Sequence, residues 1–154
     1  YWPISDDMSF KIKGSLGYAD SYGDKKYPFF KNFFMGGPKN VRGYDQASIG
    51  EKTLNAKTFE QETTGGKKSL YGSAELFFPP PGLKNVKGFR LSTFVDGGGV
   101  FKNSIEGSVM RYSAGIGALW LSPFGPLTIS YAKPLNEGTN DSISELQFGM
   151  GGAF

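Results

Sequence analysis

Six stretches of this 154-residue chain alternate large apolar with small or polar side chains at a period of two, each for about ten residues. They are Ser9 to Ala19, Ser69 to Phe78, Phe89 to Phe101, Met110 to Leu121, Leu127 to Pro134 and Ile143 to Phe154. Phe10, Ile12, Leu16 and Tyr18 share one parity, opposite Lys11, Lys13 and Ser15. Met110, Tyr112, Ala114, Ile116, Ala118 and Trp120 repeat the pattern, as do Leu146, Phe148 and Met150 opposite Glu145 and Gln147. Successive strand side chains point to opposite faces, so each stretch predicts a β-strand with one apolar and one polar or small face.

Such a set fits either a soluble sandwich or barrel, or a transmembrane barrel with lipid on one face and a wet lumen on the other. The second faces carry Lys, Arg, Ser, Thr, Gly and Glu, a poor soluble core. The apolar faces end in Tyr18, Phe78, Trp120, Tyr131 and Phe154, placed as interfacial aromatics are. Connections alternate short and long, "PPPGLKNVKG" and "FGP" against a 20–68 loop, "KNSIEGSV" and "LNEGTND". The expected fold is all-β: an antiparallel transmembrane β-barrel segment of about six strands with one long loop, at 20–68, extracellular or folded into the lumen. Six strands fall below the roughly eight of the smallest barrels. The abrupt start "YWPISDD" points to a fragment; the alternative is closure by self-association with another copy.

The composition excludes most chemistry. There is no cysteine and no histidine, hence no thiol or imidazole catalysis and no usual zinc or haem ligand set. No cofactor or metal is expected. A net charge of +3, scattered along the chain, gives no nucleic-acid footprint. Lys25-Lys26 and Lys67-Lys68 read as solvated loop charge. "GGGVF" lacks the lysine of a phosphate loop, and "GGKKS" lacks its spacing. Glu75, Asp96, Glu106, Glu137 and Glu145 are available carboxylates, with nothing in the sequence pairing any two for acid–base work.

The loop contains "GGPKNVRGYDQASIG", Gly36 to Gly50, with Arg42 framed by Val41 and a Gly43-Tyr44 pair. Parity places Ser69, Tyr71, Ser73 and Glu75 on the inner face of the second strand, and Arg90, Ser92, Phe94, Asp96 and Gly98 on that of the third. Two carboxylates on one inner wall call for a cation. Arginine, with its planar fork, suits two acceptors better than lysine. The alternative is an ordinary loop arginine above hydrated carboxylates; spacing alone leaves both open.

"VRGY" (Val41 to Tyr44), "FVDGG" (Phe94 to Gly98, an F-x-D-x-G pattern), "WLSPFGPLTISYAKPL" (Trp120 to Leu135) and the aromatic C-terminus together resemble the C-terminal barrel of the BamA family of outer-membrane protein assembly factors. The resemblance covers the whole chain and implies a 16-stranded barrel preceded by periplasmic POTRA domains, of which this chain supplies the last six strands and lacks the rest. It implies a lumenal loop tethered by Arg42, Gly43 and Tyr44 to Glu75 and Asp96, with Val41, Phe94 and Gly98 in support. It further implies a weak seam at the last strand, at Phe148, Gly149, Gly151, Gly152 and Phe154. The implied function is non-enzymatic insertion of β-barrel proteins into the bacterial outer membrane. The implied partners are unfolded outer-membrane protein clients, the lipid bilayer, and assembly-complex lipoproteins acting through the periplasmic domains. A two-partner secretion transporter, a passive porin-like channel and a soluble β-sandwich binding module are the other readings.

Overall fold

The computed structural model of the protein describes residues 1–20, 31–54, 61–82, 88–102, 109–138 and 141–150. The alternating stretches form extended chain because only a pleated strand sends successive side chains to opposite faces. In chain order the strands are β1 (Trp2–Pro3), β2 (Ser9–Tyr18), β3 (Gly43–Tyr44), β4 (Lys52–Leu54), β5 (Gln61–Thr63), β6 (Lys68–Phe78), β7 (Phe89–Phe101), β8 (Arg111–Ser122), β9 (Gly125–Pro134), β10 (Ile143–Ser144) and β11 (Leu146–Met150). One seven-stranded sheet, β1-β2-β6-β7-β8-β9-β11, is antiparallel at every pairing.

The register sorts chemistry by face. One row across the sheet runs Phe10, Leu76, Thr93, Ile116, Tyr131, Leu146. The neighbouring row on the other face runs Lys11, Glu75, Phe94, Gly115, Ala132. The first face is apolar yet uncovered: Leu16 and Met150 are each 80% exposed, and Ile12, Ile116 and Phe148 are also open. Such a continuous apolar surface needs a non-aqueous neighbour. The second face is buried by the chain's own loop. The core cluster is Met35, Val41, Tyr44, Ile49, Tyr71 and Val100, and the loop supplies the first four.

Several boundaries differ from the sequence expectation. The sheet has seven strands where six were expected, because Trp2–Pro3 turns back through the Ser5–Met8 hydrogen bonds to pair with Ser9 and Phe10. The expected strand from Ile143 to Phe154 is divided. Ile143 and Ser144 leave the main sheet to pair with Tyr44 and Gly43, and only Leu146–Met150 continue along β9. The loop takes the main-chain groups of this short segment, which therefore cannot also serve the barrel wall. Gly151, Gly152 and Phe154 lie outside the described residues, as do Lys25, Lys26 and Glu106. The loop also carries more order than expected. β4 pairs with β5 in a hairpin, and bridges join Phe33 to Gly66 and Met35 to Ile49.

Candidate functional site

Alternation on β6 and β7 fixes Ser73, Glu75, Ser92, Phe94 and Asp96 on the inner face, where the loop lies. Arg42 reaches Ser73, Glu75, Phe94 and Asp96, and Ser92 joins through Glu75. Its Nε–H donates to Asp96 Oδ2 at 2.7 Å and an Nη2 hydrogen to Oδ1 at 2.9 Å, a bidentate fork. Nη1 donates to Glu75 Oε1 at 2.9 Å, and the Arg42 main-chain N–H adds a bond to Asp96 Oδ2 at 3.2 Å. The guanidinium carbon lies 3.3 Å from the centre of the Phe94 ring, so a cation–π face closes the side that hydrogen bonds leave open.

Both carboxylates find further donors. Ser73 Oγ–H donates to Asp96 Oδ1 at 2.6 Å, and Ser92 Oγ–H to Glu75 Oε1 at 2.9 Å. Asp96 thus accepts four hydrogen bonds, the full capacity of an ionised carboxylate, which explains how it stands a fully buried position. Glu75 is also approached by Lys11 Nζ at 4.0 Å. Burial works against the Arg42 charge, but the hydrogen bonds and negative charge of Asp96, then Glu75, outweigh it and raise the guanidinium above its ordinary value.

The neighbours of Arg42 complete the fit. Gly43 has φ +90°, a left-handed conformation, and a Cβ there would sit 3.1 Å from the Ala132 carbonyl oxygen and 3.2 Å from its Cβ. Gly98, last of the F-x-D-x-G pattern, leaves room for Val41, whose Cγ2 would lie 3.0 Å from an added Cβ. Tyr44 is fully buried, and its hydroxyl donates at 3.3 Å to the carbonyls of Tyr112 and Asn136. Burial, with the charges of Asp141 and Glu137, lifts that hydroxyl to about 12. The inner face retains a cavity of about 480 Å³, bordered by Lys11, Lys13, Arg42, Arg90 and one carboxylate, Glu75. Cations predominate, and Glu75 is already engaged by Arg42 and Ser92, so the arrangement suits holding a loop more than exchanging protons.

The structure therefore brings together Val41, Arg42, Gly43 and Tyr44 with Glu75, Phe94, Asp96 and Gly98. Phe148 and Gly149 lie apart from them on β11, Phe148 on the exposed face and Gly149 against the Thr128 hydroxyl. Sequence reasoning missed Gln147, whose buried amide donates to the Tyr44 carbonyl at 2.6 Å. The signal was present: a long amide at the inward parity of the last strand, between Glu145 and Gly149. It also missed Ala132, since a small residue beneath a glycine leaves no trace in spacing.

The Omp85 superfamily domain matches residues 1–154. Outer membrane protein assembly factor BamA of Neisseria meningitidis serogroup B is 36% identical, the match covering all of this chain and 23% of that protein. The human sorting and assembly machinery component 50 homolog is 30% identical over 84% of this chain and 30% of its own length. The crystal structure of BamA from Haemophilus ducreyi lacking POTRA domains 1-3 superposes with a TM-score of 0.83 at 31% identity, over 95% of this chain and 32% of that one. The open sheet is thus similar to part of a BamA barrel wall, and the chain spans about a quarter to a third of these relatives.

Proposed function

Because this chain belongs to the Omp85 superfamily, we propose that it forms the C-terminal part of a bacterial outer-membrane β-barrel that assembles and inserts other β-barrel proteins. The relatives it matches along its full length are named as assembly factors, and this is the observation that carries the reading. Arg42, Gly43 and Tyr44 act as a tether that fixes the loop to Glu75 and Asp96 on the wall. β11 pairs with β9 on one side, and among the described residues nothing pairs with its other edge. That edge is the seam, where unpaired N–H and C=O groups template an incoming strand. Phe148 and Gly149 lie in β11, and Gly151, Gly152 and Phe154 follow it in sequence, outside the described residues. Glycine contributes no packing side chain and weakens a strand, which eases opening.

No bond is made or broken in this work. The client's own burial in lipid supplies the driving force, and the protein lowers the barrier. The partners are unfolded outer-membrane clients, the bilayer, and assembly lipoproteins that dock through periplasmic domains; self-association of the isolated piece is a further expectation. The test joins this chain to its upstream barrel and periplasmic domains in lipid vesicles and times the folding of a separate urea-unfolded barrel protein. Faster folding than in empty vesicles is expected. Unchanged folding accompanied by polypeptide export or ion leakage overturns insertion and moves the function to transport.

A further inference from the structure

Beyond the contacts of the arginine with β6 and β7, the loop also holds the last strand. There the Gln147 side chain of β11 donates to the Tyr44 carbonyl at 2.6 Å, with Gln147 only 6% exposed. Just before it, β10 pairs Ile143 with Tyr44 and Ser144 with Gly43. The Asp45 N–H extends that ladder to the Ser142 carbonyl at 2.8 Å, and Ser48 Oγ–H reaches the same oxygen at 3.3 Å. The segment leading into β10 is itself pinned: Asp141 accepts from Arg111 and, at 2.6 Å, from the Gly138 N–H. Among the described residues, Leu146–Met150 pair in the sheet with β9 alone, and the loop is a second attachment at the start of this strand.

We infer that Gln147 is a positioning residue that latches the last strand to the arginine loop, so that undocking the loop and loosening β11 are one linked event. Arg42 touches β6 and β7, and Gln147 touches Tyr44, two residues along the same rigid turn. Gly43 and Tyr44 carry the linkage, because a fully buried Tyr44 cannot shift without moving both neighbours. Linkage is reciprocal: weakening either end must loosen the other by a similar factor. The inference rests on the seam reading for its use in insertion, but the linkage itself is measurable without any client.

Tyr-Asp occurs once in the sequence, at Tyr44-Asp45. Segmental labelling of this chain, within the complete barrel protein in lipid nanodiscs, with carbonyl-¹³C tyrosine and ¹⁵N aspartate therefore gives one doubly labelled peptide bond. Its carbonyl accepts from Gln147 and its N–H donates to Ser142. Three variants are compared with the parent: Gln147→Leu, Gln147→Lys, which restores a donor, and Arg42→Lys, which keeps the charge if Arg42→Ala fails to fold. Gln147→Leu should shift this peak and raise amide exchange in residues 146–150 about tenfold. Gln147→Lys should recover part of both effects. Arg42→Lys should raise exchange in 146–150 although it lies on another element. Exchange in 146–150 that stays at the parent rate in Arg42→Lys, while the loop's own exchange rises, overturns the latch. Client folding timed on the same variants is separate: loss of linkage with insertion intact refutes the latch alone, and intact linkage without insertion refutes the seam.

Discussion

Replacing Arg42 with alanine removes the one cation that Asp96 and Glu75 share and leaves both carboxylates in place. Breaking one partner out of a buried pair costs about 3–5 kcal/mol, because the remaining charge stays desolvated. The structure places this case at the lower end of that range. Asp96 keeps the Ser73 hydroxyl and, where the loop stays docked, the residue-42 main-chain N–H; Glu75 keeps Ser92 and a distant Lys11. A loss of about 3 kcal/mol corresponds to roughly a hundredfold shift in the loop-docking equilibrium. The assay is denaturant unfolding of the barrel in lipid, paired with protease nicking of the loop. A lower midpoint and faster nicking are expected. The double variant Arg42→Leu with Asp96→Asn should lose less than the sum of its parts, since one replacement removes the partner that the other would strand. Arg42→Ala unfolding at the parent's denaturant concentration, with unchanged nicking, refutes the buried-pair reasoning.

Two further substitutions separate the parts of the site. Gly43→Ala should lower the stability by about 1–2 kcal/mol, from the left-handed backbone alone, and by more if Ala132 cannot yield; an unchanged unfolding midpoint would show that the turn relaxes freely. Phe94→Leu keeps the position apolar but removes the ring under the guanidinium, so a loss of about 1–2 kcal/mol is expected. The same Phe94→Leu change made in an Arg42→Leu background should cost markedly less, and equal costs in the two backgrounds would dismiss the cation–π contact.

Much of this was open to reading because a strand's period of two converts position directly into facing. Glu75 and Asp96 could be placed on one inner wall from parity, since neither β6 nor β7 contains a bulge to reverse it. Charge and parity made Arg42 a candidate partner for the two inward carboxylates but left an ordinary loop arginine open, and the resemblance of the "VRGY" and F-x-D-x-G motifs to the BamA family chose between them. The destination of the segment before Glu145 was not legible. Ile143 falls on the odd parity and Leu146, Phe148 and Met150 on the even, so the alternation slips there, but what diverts Ile143 and Ser144 is the competing ladder offered by Gly43 and Tyr44, about a hundred residues away in sequence. Local pattern carries no record of such a competitor. For the same reason Ala132 stayed hidden and Gln147 showed no more than its inward parity, because each acquires its role only where the loop lands. β4 and β5 are three residues each, too short for alternation to register.

The placement of the core decides which positions can tolerate exchange. Met35, Val41, Tyr44 and Ile49 come from a connection, and the wall contributes only Tyr71 and Val100 to the same cluster. In a water-soluble protein the connections drift and the strands are held fixed. Here the usual order is reversed. Lipid asks of Ile12, Leu16, Ile116 and Phe148 only that they be greasy, so one aliphatic or aromatic group can stand in for another there. The segment from Met35 to Ile49 must instead match a particular wall, atom against atom. The tightest steric demands therefore fall on the longest connection, and the loosest on the lipid-facing positions of the strands.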